Sequence, residues 1–285
     1  WRPTWEWSWG RYRSAWEFGL TRMGSGLLGS VRQLIESGAL TALIGFALLG
    51  VFGRAIRLAQ SFCHKFASQL LYAIYPLLTR IDGSEGDATR VGGLVLRLVA
   101  WTALPIAVVF AELAEPVVRV VYGPNWADVT PLLPWAMGWS VLTALSTATY
   151  MLLLARQQMR LCLRADVGTV FGTAVSLVVA LPHGLVAYIG MLIGCQLLIL
   201  GLLAFWLEKH RGLSLTGIFD AVAPAGVACM IALCGVQLIA SRMPWGETIT
   251  VFGAAAWAAG FLVMYLATLR FCFACQLGDL IQYFP

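Results

Sequence analysis

Charge is what this sequence has least of. Lys, Arg, Asp and Glu make up 12% of its 285 residues, against 60% hydrophobic residues and a mean hydropathy of +0.80. Soluble domains carry about 25% charged residues, so this chain has too little polar surface to stay in water. The same numbers exclude a disordered tail, which needs low hydrophobicity and high charge. Catalytic signatures are missing too: there is no Asp-x-Asp pair, no His-Glu-x-x-His, no Gly-x-Ser-x-Gly and no Gly-rich phosphate loop closing on Lys-Ser/Thr. A membrane-bound glycosyltransferase or polymerase is therefore the weakest of the functional classes considered, and no cofactor is expected. No metal site is expected either. The run from Asp82 to Asp87 has a calcium loop's acids but Gly93 where the closing Glu belongs. Of seven cysteines, Cys63, Cys162, Cys195, Cys229 and Cys234 lie inside apolar runs, and the one close pair, Cys272 and Cys275, has no second pair beside it.

What is present is a series of long apolar runs. About 20 mostly apolar residues cross the hydrocarbon of a bilayer, and eight stretches qualify: 18–44, 51–81, 91–121, 132–154, 165–181, 185–207, 221–240 and 249–271. The expected fold class is an all-α polytopic membrane protein of about eight spans, with breaks at Asp82–Asp87, Gly123-Pro124, Pro182-His183-Gly184 and Pro244-Trp245-Gly246. The net charge of +5 does not point to nucleic acid, because most of the cations fall in the short stretches between the apolar runs. Arg2, Arg11, Arg13, Arg80, Arg90, Arg156, Arg160, Arg164, Lys209, Arg211 and Arg270 fall on one side; Arg119, Arg242 and Arg54 fall on the other. The positive-inside rule makes the first side cytoplasmic, with both termini there. The chain opens without Met on a Trp-rich run with three arginines, which reads as an interfacial arm cut from something longer.

The last six spans read as mostly apolar all round; the first two do not. Along the second, Arg54, Arg57, Ser61, His64, Ser68, Tyr72, Tyr75 and Thr79 recur every three or four residues, with Lys65 and Gln69 flanking. The first carries Arg22, Ser25, Gly29, Arg32 and Glu36 at the same spacing. A cation near the bilayer centre costs at least about 2.5 kcal/mol, so such stripes need water or polar partners. Three readings compete: an amphipathic helix on the surface, charges paired between helices, or the wall of a wet cavity. At 1.5 Å per residue, Arg32 and Arg57 both lie ~9 Å from the outer face, while Arg22 and Lys65 lie ~6 and ~9 Å from the inner one. The antiparallel pair would carry a basic ladder across the membrane, with Glu36 neutralising Arg54 or Arg32, and its net positive charge suits an anion.

Several segments in order resemble a known family: Trp1-Arg2-Pro3, Trp16 to Leu20, Leu49 to Leu58, Tyr75 to Arg80, and Val121 to Trp126 followed by Pro131-Leu132-Leu133. They are similar to the polysaccharide-biosynthesis exporters, the O-antigen and colanic-acid flippases of the multidrug/oligosaccharidyl-lipid/polysaccharide superfamily, over about residues 1–212. The resemblance implies a two-lobe transporter of about fourteen spans, of which this chain looks like the last eight. Residues 1–17 would form a cytoplasmic connector, 18–208 a six-helix lobe, and 209–285 a linker with two further helices. It implies flipping of polyprenyl-pyrophosphate-linked oligosaccharide across the bacterial plasma membrane by alternating access. Expected partners are that lipid-linked substrate, membrane lipid and a missing N-terminal six-helix lobe. The resemblance puts the first two spans on the central cavity, where Arg32, Arg57, Arg54, Lys65 and Arg22 are the candidate pyrophosphate ligands and Glu36 their charge partner. The alternative within the superfamily is a cation-coupled drug antiporter, for which Glu36 is the sole acidic candidate in the cavity.

Overall fold

The computed structural model describes residues 9–65, 67–69, 71, 85–156, 158–209, 215–240 and 251–272. Those residues are helical throughout apart from short turns, and no strand occurs among them. The chain is an all-α polytopic membrane protein: among the described residues, seven helical stretches are long and apolar enough to cross a bilayer. The expected count was eight, and the difference lies in the first stretch.

Helix α1 runs Trp9–Ala59, 51 residues, but Gly45 breaks it at φ 81, ψ 171. A left-handed φ is cheap only for glycine, and nothing lies within 4 Å of where a Cβ would sit there, so conformation alone explains the residue. The break reverses the chain. Glu36 and Phe52 would stand about 24 Å apart on a straight helix, yet both meet Tyr188: its hydroxyl donates to Glu36 Oε1 at 2.8 Å, and its ring lies 5.7 Å from that of Phe52. The two arms of α1 are therefore the two expected spans, joined at one residue rather than by the broad 45–50 loop. The second arm continues as a π-helical segment, Gln60–His64, in which the Lys65 N–H reaches back to Gln60 O. The expected end of this span, with Tyr72, Tyr75 and the Tyr75–Arg80 motif, lies outside the described residues, as do Trp1-Arg2-Pro3, the Pro244-Trp245-Gly246 break and Cys275.

The third expected span, 91–121, is two helices. Helix α2, Glu85–Glu112, holds Pro105 without ending there; α3, Ala114–Tyr122, follows a non-helical Leu113 (φ −96, ψ 28). Pro116 accounts for the break, since its ring in a continuous helix would clash with the carbonyl four residues back, that of Glu112. A 3₁₀ segment, Pro124–Leu132, leads into α4, Leu133–Ala155; then come α5, Met159–Val179, a 3₁₀ turn at Leu181–His183, α6, Leu185–Lys209, α7, Leu215–Ala240, and α8, Val251–Cys272.

Helix α4 is the hub, packed against α2, α6 and both arms of α1, while α5 packs on α1 and α6. Its buried face mixes apolar residues such as Leu133, Met137 and Leu153 with Ser140, Ser146 and Thr149. Buried hydroxyls need partners: Thr149 bonds back to Leu145 O, and Ser140 Oγ donates to Ala59 O at 3.1 Å, just before the π segment. Gly168 with Gly172 and Gly190 with Gly194 have the four-residue spacing of small-residue helix contacts, and of the four Gly172 makes the close approach. A Cβ there would stand 3.2 Å from Cys195 Cβ, whereas Gly168, Gly190 and Gly194 have open space. Helix α8 is tied to α2 by the Tyr265 hydroxyl, 2.9 Å from Trp101 O.

Candidate substrate cavity

A cavity of about 540 Å³ lies between both arms of α1 and helices α4, α5 and α6. That is within the range of small-molecule sites, but its walls are polar for a membrane interior. The first arm supplies Arg22, Ser25, Gly26, Gly29 and Arg32; the second supplies Gln60, His64 and Ser68. The two glycines leave the first arm flat, so that the arginines stand out from it. Arg22 and Arg32 are ten residues, hence about 15 Å, apart along the arm.

The opposite wall was not foreseen. Helix α4 presents Trp139, Thr143, Ser146, Thr147 and Tyr150, α5 presents Asp166 and Thr169, and α6 presents Gln196. These helices read as apolar all round because, Asp166 apart, the polar residues are neutral hydroxyls, an indole and an amide, which a mean over the helix dilutes. The signal was present as spacing: Trp139, Thr143, Thr147 and Tyr150 recur at four, four and three, one face of a helix. Hydrogen bonds knit this wall together. Gln196 Nε2 donates to Ser146 Oγ at 2.8 Å, joining α6 to α4. Tyr150 donates to Asp166 Oδ2 at 3.2 Å, and Ser25 Oγ lies 3.4 Å from the same hydroxyl. Three elements thus meet at Tyr150, beside Arg22.

The expected ladder is divided by the structure. Arg22 and Arg32 line the cavity. Arg57 and Lys65 are exposed and are not among the lining residues. Arg54 faces away, its guanidinium 3.5 Å from the centre of the Trp126 ring and 5.3 Å from that of Tyr122. Tyr122 closes the arrangement by donating to Arg54 O at 3.2 Å. Glu36 accepts from Tyr188 instead of pairing with either arginine. The register change has a cause. The π segment widens one turn, so Gln60, His64 and Ser68, four apart, share the cavity row, while Arg57, Ser61 and Lys65 fall on the neighbouring one. Among the described residues no group of three or more His, Cys, Asp and Glu comes together as a metal site would require.

Fold and site together define a multi-pass, all-α membrane protein enclosing a polar cavity whose two arginines, Arg22 and Arg32, come from its first crossing. Residues 1–131 match the model of the family described as polysaccharide biosynthesis protein. Over 142 residues the chain is 28% identical to the amylovoran biosynthesis protein AmsL of Erwinia amylovora; the match covers 47% of this chain and 34% of that protein. The chain thus spans about a third of the length of that relative. No solved structure matches. Both matches are to polysaccharide-biosynthesis proteins, the kind that the motifs of this chain resemble, and each covers less than half of the chain. The matched family region holds Arg22, Arg32, Gln60, His64 and Ser68, and ends before the α4–α6 wall.

Proposed function

We propose that this chain is the cavity-bearing half of a flippase that exports polyprenyl-pyrophosphate-linked oligosaccharide across the bacterial plasma membrane. The observation that carries the reading is the pair Arg22 and Arg32 on one wall of a polar cavity between membrane helices. An arginine in the membrane is costly and marks a substrate path by default. Its planar fork donates two parallel hydrogen bonds, which suits phosphate oxygens. The facing wall of hydroxyls and amides suits sugar hydroxyls, which both donate and accept. Alternating access supplies the transport step, this half rocking against a second six-helix lobe. The Lys and Arg distribution sets the orientation, with both ends of the chain cytoplasmic.

The test is export. In the complete exporter, Arg22→Gln and Arg32→Gln should each cut surface polysaccharide about tenfold or more, with insertion unchanged. Lysine at either site should rescue only part, because it lacks the fork. Normal export by the double Gln variant would reject the reading.

One observation favours a second reading, a cation-coupled drug or organic-ion antiporter. Asp166 lines the cavity, and a carboxylate there can hold a proton or sodium ion. The two are separated by cargo: an antiporter would lower the accumulation of cationic dyes in cells, and a flippase would leave it unchanged.

A further inference from the structure

We infer that His64 is a substrate-contacting residue, its Nε2–H donating to a phosphate oxygen of the headgroup held by Arg22 and Arg32. The inference rests on the phosphate reading of the cavity and adds to it a ligand that is neither arginine nor lysine.

Three observations carry it. First, His64 closes the π segment, where the Lys65 N–H bonds Gln60 O. π segments are rare and collect at functional sites, and this one swings His64 onto the cavity while Arg57 and Lys65 stay off it. Second, the backbone around the ring is fixed: Ser68 Oγ donates to His64 O at 2.7 Å, and Ser140 Oγ donates to Ala59 O at 3.1 Å. Third, Nδ1 of His64 is buried and has no hydrogen-bond partner. A purely structural histidine would be expected to satisfy that nitrogen, because an unmet buried polar atom destabilises the fold. With Nδ1 enclosed, the ring edge that fronts the cavity carries Nε2. The charged groups lining the cavity with it are Arg22, Arg32 and Asp166. Arg22 and Arg32 stand about 15 Å apart along the first arm, and His64 adds a donor to the same cavity from the second arm.

The orphan nitrogen makes the claim testable by sign. The full chain in lipid nanodiscs is titrated with a short-chain polyprenyl pyrophosphate and, separately, with inorganic pyrophosphate. His64→Leu deletes both nitrogens; His64→Gln restores a donor near Nε2 and removes the buried orphan. Unliganded, both variants should unfold at or above the wild-type temperature. His64→Leu should bind the lipid probe about tenfold more weakly or worse, and His64→Gln should keep most of the affinity. Weaker binding of the lipid probe but not of inorganic pyrophosphate would still support the contact, with the lipid chain fixing the headgroup's place. If His64→Leu binds like wild type while Arg32→Gln does not, His64 is no ligand and the cavity reading stands. If both His64 variants lose binding and also unfold at lower temperature, the role is structural and the inference falls. If wild type and Arg32→Gln alike fail to bind either probe, the cavity reading itself fails, and His64 with it.

Discussion

Arg54 shows how a single residue can satisfy every sequence criterion for a site and serve another purpose. Its guanidinium lies over Trp126, and its carbonyl accepts from Tyr122, so its charge is met by aromatic faces at the far end of the second arm. A cation over a ring contributes about 0.5–1 kcal/mol where partly exposed. Arg54→Leu should lower the thermal unfolding temperature by a few degrees, Arg54→Lys by less, and both should export normally. An export defect in Arg54→Lys with unchanged unfolding would return Arg54 to the substrate path. Glu36 makes the parallel case. Spacing offered it two arginines, but a tyrosine 152 residues away in sequence, Tyr188, takes its carboxylate. Neither Trp126 nor Tyr188 could have been chosen from sequence, because both contacts arise from how α1 doubles back at Gly45.

Among the elements, spacing was a good guide wherever the helix was regular. The boundaries of α4 and α6 agree with the apolar runs to within two residues, and Arg22, Ser25, Gly29 and Arg32 do share one face. Legibility stopped where the helix was not regular. The π segment shifts the row that faces the cavity by one position, which trades Arg57 and Ser61 for Gln60. Pro116 splits the third span, and the neutral hydroxyls of α4 vanish in an average that charge would have disturbed. Close contact between helices was legible at one position in four, since of the spaced glycines Gly172 alone meets a neighbouring helix. Gly172→Leu should therefore destabilise by about 1–3 kcal/mol by forcing α5 from Cys195 on α6. Gly190→Leu, with open space before it, should cost far less. Comparing the two by thermal unfolding in detergent tests the α5–α6 contact directly: helix propensity alone would raise both stabilities, so equal changes at the two sites would show that the contact at Gly172 is not what sets the cost.

For the whole molecule, the first arm of α1 is the least covered of the spans that build the cavity. Leu20, Met23, Leu27, Val31 and Leu34 are exposed along it, and Arg57 and Lys65 are exposed on the second arm. Apolar residues can face lipid at no cost, but each such cation would cost about 2.5 kcal/mol or more. The proposed second lobe would give them a polar wall and give the cavity its other side. Expressed without such a lobe in cells lacking their own exporter, the chain should restore no surface polysaccharide, and co-expression with the lobe should restore it. Full restoration by a monomeric 285-residue chain would overturn the two-lobe account.

The central claim is that the cavity between α1 and α4–α6 receives the pyrophosphate end of a lipid-linked sugar. Protection of a cysteine placed on its wall tests this most directly. In an exporter stripped of native cysteines, Thr147→Cys lies on the cavity and Val178→Cys lies on an outer face. The account predicts that a polyprenyl-pyrophosphate oligosaccharide slows alkylation at position 147 and not at 178, and that the protection disappears when Arg22 and Arg32 are both glutamine. Alkylation at position 147 that is unchanged by saturating lipid-linked substrate would contradict it.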